Sequence, residues 1–215
     1  MAGSGMNTGE LVITVSLLVQ VAAGVLAALL LGKKLSRGDK CALGFWVFNA
    51  LVNITMCIPY AVMSLVGNVK DYKNFVALMF QEYAKADKRY GVADPNMICI
   101  ELAQAVVGTS LSIAVITAIL QNKKWRHLAQ LVLLVVELYG VYMMFAPELI
   151  SGLKNFNPAK LVQLFVMNGV FLVIRLALLA QSLQVLCGGK KQAPSSGAST
   201  PRSTGGRYNL RAKKE

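Results

Sequence analysis

Five apolar stretches of twenty residues or more dominate this chain and leave it few choices of fold. They run approximately over 11–31, 42–66, 97–120, 128–147 and 161–186. Each meets the ~20 residues needed to cross a hydrocarbon layer about 30 Å thick. The first two hold no charged residue, and the others hold one each: Glu101, Glu137 and Arg175. Soluble core helices of this length would carry a polar stripe, and these do not. Only 15% of the chain is charged, against about 25% in ordinary soluble domains. The predicted fold class is therefore an all-α integral membrane protein, a five-transmembrane-helix bundle.

Charge placement predicts the orientation. The ten residues before the first stretch, MAGSGMNTGE, contain no Lys or Arg, whereas KKLSRGDK follows it at 33–40. A cleaved leader carries its basic residues in front, so the stretch is expected to be a retained span. The loop QNKKWRH at 121–127 is also basic, whereas loops 67–96 and 148–160 mix signs. The positive-inside rule then places both basic loops in the cytosol, with the amino terminus and the mixed loops lumenal. The expected organisation is a lumenal segment 1–10, a membrane domain 11–187 and a cytosolic tail 188–215.

The tail carries seven Lys or Arg against one Glu, half of the total net charge of +12, on a Gly-, Ser- and Thr-rich stretch. Such a composition cannot form a core and predicts disorder. Its Lys213–Lys214–Glu215 ending reads either as a dilysine-like retrieval signal or as a plain solubilising tail. No basic helix with interleaved aromatics lies in a soluble segment, which argues against nucleic acid. Anionic lipid heads account for the tail's charge at lower cost. The four cysteines are scattered and His127 is the only histidine. Neither a structural metal site, with about four clustered ligands, nor a histidine-based triad fits. No metal or cofactor is expected.

Polar residues inside the spans mark the interior, because a buried charge costs roughly 2.5–3.5 kcal/mol on insertion scales. Asn49, Asn53 and Cys57 recur every four residues and share a helix face. Glu101 and Gln104 sit one turn apart, with Gly108 beyond them. Asn168, Phe171 and Arg175 define a face of the fifth span. Cys57, Glu101 and Asn168 fall in the lumenal half, while Glu137 and Arg175 lie nearer the midplane as an expected ion pair. For the Asn face the structural alternative is interhelical hydrogen bonding. For Glu101 it is a packed neutral carboxyl. Small residues on the first span (Ala22, Ala23, Gly24, Ala27) permit close packing, including in a homodimer.

The segment EYAKADKRY (82–90), with Asp94–Pro95 and Glu101 after it, resembles the emopamil-binding protein family. This is the EXPERA-domain group that includes the sterol Δ8–Δ7 isomerase of the endoplasmic reticulum. SLVGNV (64–69), RH (126–127), ELYG (137–140) and MNG (167–169) follow in the family's order. The resemblance covers about 41–185, and SLVGNV and ELYG look closest to its emopamil-binding protein-like branch. It implies five helices around an intramembrane cavity for a sterol or a cationic amphiphile. It also implies an endoplasmic reticulum membrane location.

The isomerase protonates a ring alkene and removes a neighbouring proton, which requires an acid, a base and a stabiliser of positive charge. The resemblance maps the third-helix carboxylate onto Glu101 and the fifth-helix amide onto Asn168. The second-helix His and Glu positions hold Asn53 and Cys57, and Phe171 replaces a Trp. Arg175 stands where the family tends to have Pro, and Phe80–Gln81 replaces an aromatic–basic pair. An amide cannot transfer a proton at physiological pH, and a thiol in an apolar site is normally inert. Three expectations follow. The chain binds a sterol-like lipid or cationic amphiphile through Asn53, Cys57, Glu101, Asn168 and Phe171, with isomerase activity lost or altered. Alternatively it is an active cholestenol Δ-isomerase with Glu101 as its catalytic residue, or an assembly factor with no small ligand.

Overall fold

A computed structural model describes residues 7–188. The dilysine-like ending and the rest of the predicted disordered tail lie outside the described residues, as do residues 1–6. Among the described residues, five helices are long and apolar enough to cross a membrane: α1 (Thr8–Leu30), α2 (Arg37–Val66), α4 (Pro95–Leu120), α5 (Arg126–Ser151) and α6 (Leu161–Cys187). The shorter α3 (Phe75–Tyr83) lies between α2 and α4, in a stretch that hydropathy alone marks as loop throughout. The helix starts are encoded locally. Asn7 and Glu10 form a reciprocal cap at α1, and Ser36, Asn74 and Asp94 cap α2, α3 and α4. Gly152, at φ 79°, ends α5 in the left-handed conformation that glycine adopts at least cost.

Two of the membrane helices are not regular. In α2 the backbone widens into a π-turn over Asn53–Cys57, where Ile58 N–H donates to Asn53 O. Pro59 follows directly; it has no N–H, and its ring crowds the carbonyl four residues back, which opens the ladder at this point. In α4 a second π-turn spans Gln104–Gly108, with Thr109 N–H donating to Gln104 O. The two turns face each other across a close approach. A Cβ on Gly108 would lie 2.6 Å from Gln104 Oε1 and 2.9 Å from Asn53 Nδ2, so both amide side chains pack directly against the glycine. Single π-turns inside helices recur at functional sites.

The core divides along the bundle axis. Near the end that carries the amino terminus, Tyr60, Phe80, Tyr90, Met97, Met144, Phe156 and Leu164 form one apolar cluster. Toward the other end, Leu43, Trp46, Val115, Ile119, Leu133, Leu134 and Leu178 form a second. Between them runs a polar waist of buried Asn49, Asn53, Glu101, Ser112 and Glu137. Helices α2, α4 and α5 form this centre, while α1 and α6 are peripheral. Leu18, Val19, Leu29 and Leu30 on α1, and Val162 and Val173 on α6, are each at least 60% exposed. An apolar surface of that extent is stable only against lipid. Helix α1 is held to α2 by the crossing of Gly24 and Gly44, where a Cβ on Gly24 would lie 2.5 Å from Gly44 O. This identifies the partner of the small-residue face on the first span.

Two ion-bearing loops close the amino-terminal end. Arg89 binds Asp87 through Nε at 2.9 Å and Nη2 at 2.7 Å, donates to Met144 O at 2.8 Å, and has Glu148 Oε1 at 3.4 Å from Nη1. Pro147 inside α5 cannot donate to Met143 O, and Asn96 Nδ2 takes that carbonyl at 2.8 Å. Gln81 caps the turn at 69–71 by donating to Val69 O and Tyr72 O.

Candidate functional site

Each segment of EYAKADKRY has a distinct position. Glu82 is buried and meets Lys85, with Asn7 Nδ2 at 3.4 Å and Lys160 Nζ at 4.0 Å. Tyr83 and Tyr90 turn inward, edge to face with centroids 4.8 Å apart. Asp87 and Arg89 make the buried pair that anchors the segment between α5 and the loop after it. Burial raises Arg89's cost as a cation, but hydrogen bonds and charge from Asp87 outweigh it and hold the guanidinium above its ordinary pKa. Burial also pushes the phenols of Tyr83 and Tyr90 above theirs, and for Tyr90 the charge of Glu101 adds to the effect.

Tyr90 Oη donates to Glu101 Oε1 at 3.0 Å, placing the carboxyl on a wall shared by two cavities. The outer one, about 160 Å³, is lined by Ile13 and Leu17 of α1, Met56, Cys57, Phe80, Tyr83, Tyr90 and Glu101. It adjoins a groove of about 330 Å³ between α1, α3 and α6, which shares Ile13, Leu17 and Tyr83 with it. The inner cavity, about 200 Å³, lies in the polar waist and is lined by Asn49, Asn53, Cys57, Glu101, Gln104, Glu137, Asn168 and Arg175 among others. Each cavity alone is small beside the ~300–1,000 Å³ of typical ligand sites; the groove supplies the remaining length.

The structure brings most of the sequence-derived residues together. Asn53, Cys57, Glu101 and Asn168 all line the inner cavity, and Cys57 Sγ donates to Asn53 Oδ1 at 3.6 Å. Asn168 Nδ2 donates to Tyr83 Oη at 3.0 Å and to Leu164 O at 2.8 Å. Arg175 Nη2 lies 2.6 Å from Glu137 Oε2, and Asn49 Nδ2 donates to Glu137 Oε1 at 2.8 Å and to Ser112 Oγ at 3.2 Å. The guanidinium therefore reaches the cavity with its charge already compensated. Phe171 stands elsewhere. Its ring stacks on Phe48 with centroids 5.3 Å apart, and it lines a separate apolar groove with Val21, Val25, Phe45 and Lys40. The reason is helix roll: Phe171 lies about 60° around α6 from Asn168, on the edge of that face, where the ring meets α1 and α2.

Sequence reasoning missed the two tyrosines and underweighted Gln104. Tyr83 and Tyr90 lie in a charged loop, where aromatic residues give no periodic signal. What could have found them is their spacing around Asp87 and Arg89, an ion pair two residues apart that fixes both rings at once.

A family model, EXPERA (the expanded EBP superfamily), matches residues 75–182, from α3 to the last turns of α6. The chain is 32% identical over 124 residues to the 3-beta-hydroxysteroid-Delta(8),Delta(7)-isomerase of Mus musculus, covering 56% of this chain and 54% of the relative. It is 29% identical over 124 residues to a probable isomerase of the same name in Arabidopsis thaliana, covering 58% and 55%. It is also 29% identical over 117 residues to an isomeliandiol synthase of Ailanthus altissima, covering 54% and 55%. The chain thus spans about half the length of the curated relatives it matches. With a five-helix membrane bundle, the ordered motifs and a family match across half its length, this chain belongs to the EXPERA family.

Proposed function

We propose that this protein binds a sterol-like or cationic amphiphilic ligand beside Glu101, in an endoplasmic reticulum membrane, and that the family's Δ8–Δ7 isomerase chemistry is lost or altered in it. The amino terminus is lumenal in this reading and the basic tail cytosolic. One observation carries the ligand assignment: Glu101 shares its outer cavity with the aromatic side chains of Phe80, Tyr83 and Tyr90. A carboxyl among aromatic side chains in an apolar slot suits a cation or the electron-poor region of a lipid ring system. The groove along α1 gives the apolar body of such a ligand a place to lie.

The loss of chemistry rests on Asn53 and Cys57. They occupy the cavity where the resemblance requires a histidine and a glutamate, and an amide supplies neither acid nor base. The second reading, an active cholestenol Δ-isomerase using Glu101, is favoured by the Glu137–Arg175 pair. Compensated by Glu137, Arg175 does not oppose a developing carbocation as a free cation would.

Expression in cells that lack their own Δ8–Δ7 isomerase, followed by sterol mass spectrometry, separates the two. The expected result is no conversion of the Δ8 sterol, with turnover appearing in the double variant Asn53→His, Cys57→Glu. Conversion by the native chain, abolished by Glu101→Gln, would instead establish the isomerase reading. If a photoreactive sterol does not label the native chain, a purely structural role takes the place of both.

A further inference from the structure

Beside the Gly24–Gly44 crossing, α1, α2 and α6 leave a groove of about 460 Å³. Val21, Val25 and Leu29 of α1 form one wall and are about half exposed or more, so the groove lies open to the bilayer. Phe48 and Phe171, stacked on each other, form its inner end. From Lys40 to Phe48 it follows α2 for about 12 Å. At the outer end the lining turns from apolar to cationic. Among the described residues Lys40 is the one charged side chain that lines it. The stem of Lys40 packs on the end of α1, where a Cβ added to Gly32 would lie 3.2 Å from Lys40 Cγ. Arg37 stands one turn earlier on the same face of α2, and Lys33 and Lys34 precede it in the connection from α1. None of these four cations makes an ion pair among the described residues. Asp39, the acid between them, is held by Arg126 at 2.8 Å.

We infer that this groove holds one acyl chain of an anionic phospholipid, with the phosphate head at Lys40 and Arg37. The site is separate from the Glu101 cavities: no residue lines both, and the charge it calls for is opposite in sign. Chain fit alone does not choose among lipids, because the tails of the bilayer are as apolar as the groove. The choice therefore falls to the head. A zwitterionic head brings its own cation to the Lys40 end and gains little there. An anionic head meets an uncompensated basic cluster, which favours it about fivefold for each Lys or Arg near the surface. A cationic amphiphile is repelled by the same charges. Lysine suits this position, since its long stem lies along apolar surface while the ammonium stays at the level of the heads. In the proposed orientation this end of the bundle lies in the cytosolic leaflet, where anionic lipids are concentrated. A chain seated here fills the space between the peripheral helices α1 and α6.

The test uses the full chain in phosphatidylcholine nanodiscs with a trace of photoreactive lipid. Two probes carry the same diazirine in one acyl chain, one on phosphatidylserine and the other on phosphatidylcholine, and labelled peptides are located by mass spectrometry. At equal mole fraction the serine probe is expected to label the groove segments of α1, α2 and α6 about fivefold more than the choline probe. Unlabelled phosphatidylserine should compete this signal away. Lys40→Gln should erase the preference, whereas Lys33→Gln, which removes the same charge outside the groove, should leave it within twofold. Leu29→Trp, which fills the groove without changing charge, should abolish labelling of its inner end by both probes. Equal labelling of the native chain by the two probes would mean that bulk lipid fills the groove, and overturns the site. Equal losses in Lys40→Gln and Lys33→Gln would mean diffuse attraction to the basic connection, and overturn it as well. Competition by oleate as effective as that by phosphatidylserine would put a free fatty acid in its place. The comparison of probes on the native chain needs no variant, so it decides the matter even where a variant fails to fold.

Discussion

Tyr90 and Glu101 are joined by a 3.0 Å hydrogen bond that links the loop before α4 to the first turns of that helix. Both are buried, so this bond sets where the carboxyl points between the outer and inner cavities. Tyr90→Phe should therefore destabilise the protein by about 1–3 kcal/mol, because a buried carboxyl oxygen loses its donor. Thermal denaturation in detergent measures it. In a double-mutant cycle with Glu101→Ala, the two losses should be strongly non-additive; additive losses would show that the contact contributes nothing.

The Glu137–Arg175 pair is the second energetic commitment in the waist. Glu137 is almost wholly buried and bonded on both oxygens. Removing only Arg175 leaves an uncompensated buried charge, and Arg175→Leu should cost about 3–5 kcal/mol. Replacing both, Glu137→Leu with Arg175→Leu, should cost less than either single change. Folded yield and thermal midpoint are the measurements. A double variant as damaged as the sum of the singles would mean that the two charges do not compensate each other.

The Gly24–Gly44 crossing makes a packing prediction. In Gly24→Leu the new Cβ meets backbone, at 2.5 Å from Gly44 O, and not a flexible side chain that could move away. Helix α1 must shift, at about 1–3 kcal/mol. Because α1 also forms the outer wall of the Glu101 cavity through Ile13 and Leu17, sterol-probe labelling should fall along with the thermal midpoint. Labelling unchanged in the face of a lowered midpoint would detach α1 from the ligand site.

Alkaline titration tests the buried tyrosines. The folded pKa of Tyr83 is raised chiefly by burial, against an opposing hydrogen bond from Asn168. The unfolded value is about 10, so the stability contributed by the protonated phenol is complete below pH 10. It is lost as the pH rises from there through the higher folded value. The phenolate absorbance of Tyr83, taken as the difference between the native chain and Tyr83→Phe, should be absent at pH 11 in the folded protein and present after denaturation. Its appearance in the folded state at pH 10 would show that the ring is open to water.

Much of the architecture was legible in the residues because the bilayer constrains it so strongly. A span must be long and apolar, and a charge inside it must have a reason, so five helices and the inward placement of Glu101, Glu137 and Arg175 follow from hydropathy and spacing alone. Phe171 shows the limit of that reasoning. It shares a helix with Asn168, but the face a residue presents depends on how the whole helix is rolled against its neighbours. Here the ring stacks on Phe48, away from Glu101. The π-turns were not legible for a related reason. Pro59 announces a disturbance in α2, whereas the turn at Gln104–Gly108 carries no such mark and forms where Gly108 meets Asn53 from the opposite helix.

By itself, then, the sequence determined the class of the protein: which segments lie in the membrane, and which family they belong to. Those properties are local, since hydrophobic length and motif order can be read one stretch at a time. Tertiary structure alone decided which side chains share a cavity, that Tyr90 fixes Glu101, and that Asn53 and Gln104 meet at Gly108. These depend on helix roll, on the widened turns and on contacts between residues far apart in the chain, as with Asn53 and Gln104, which no single stretch contains.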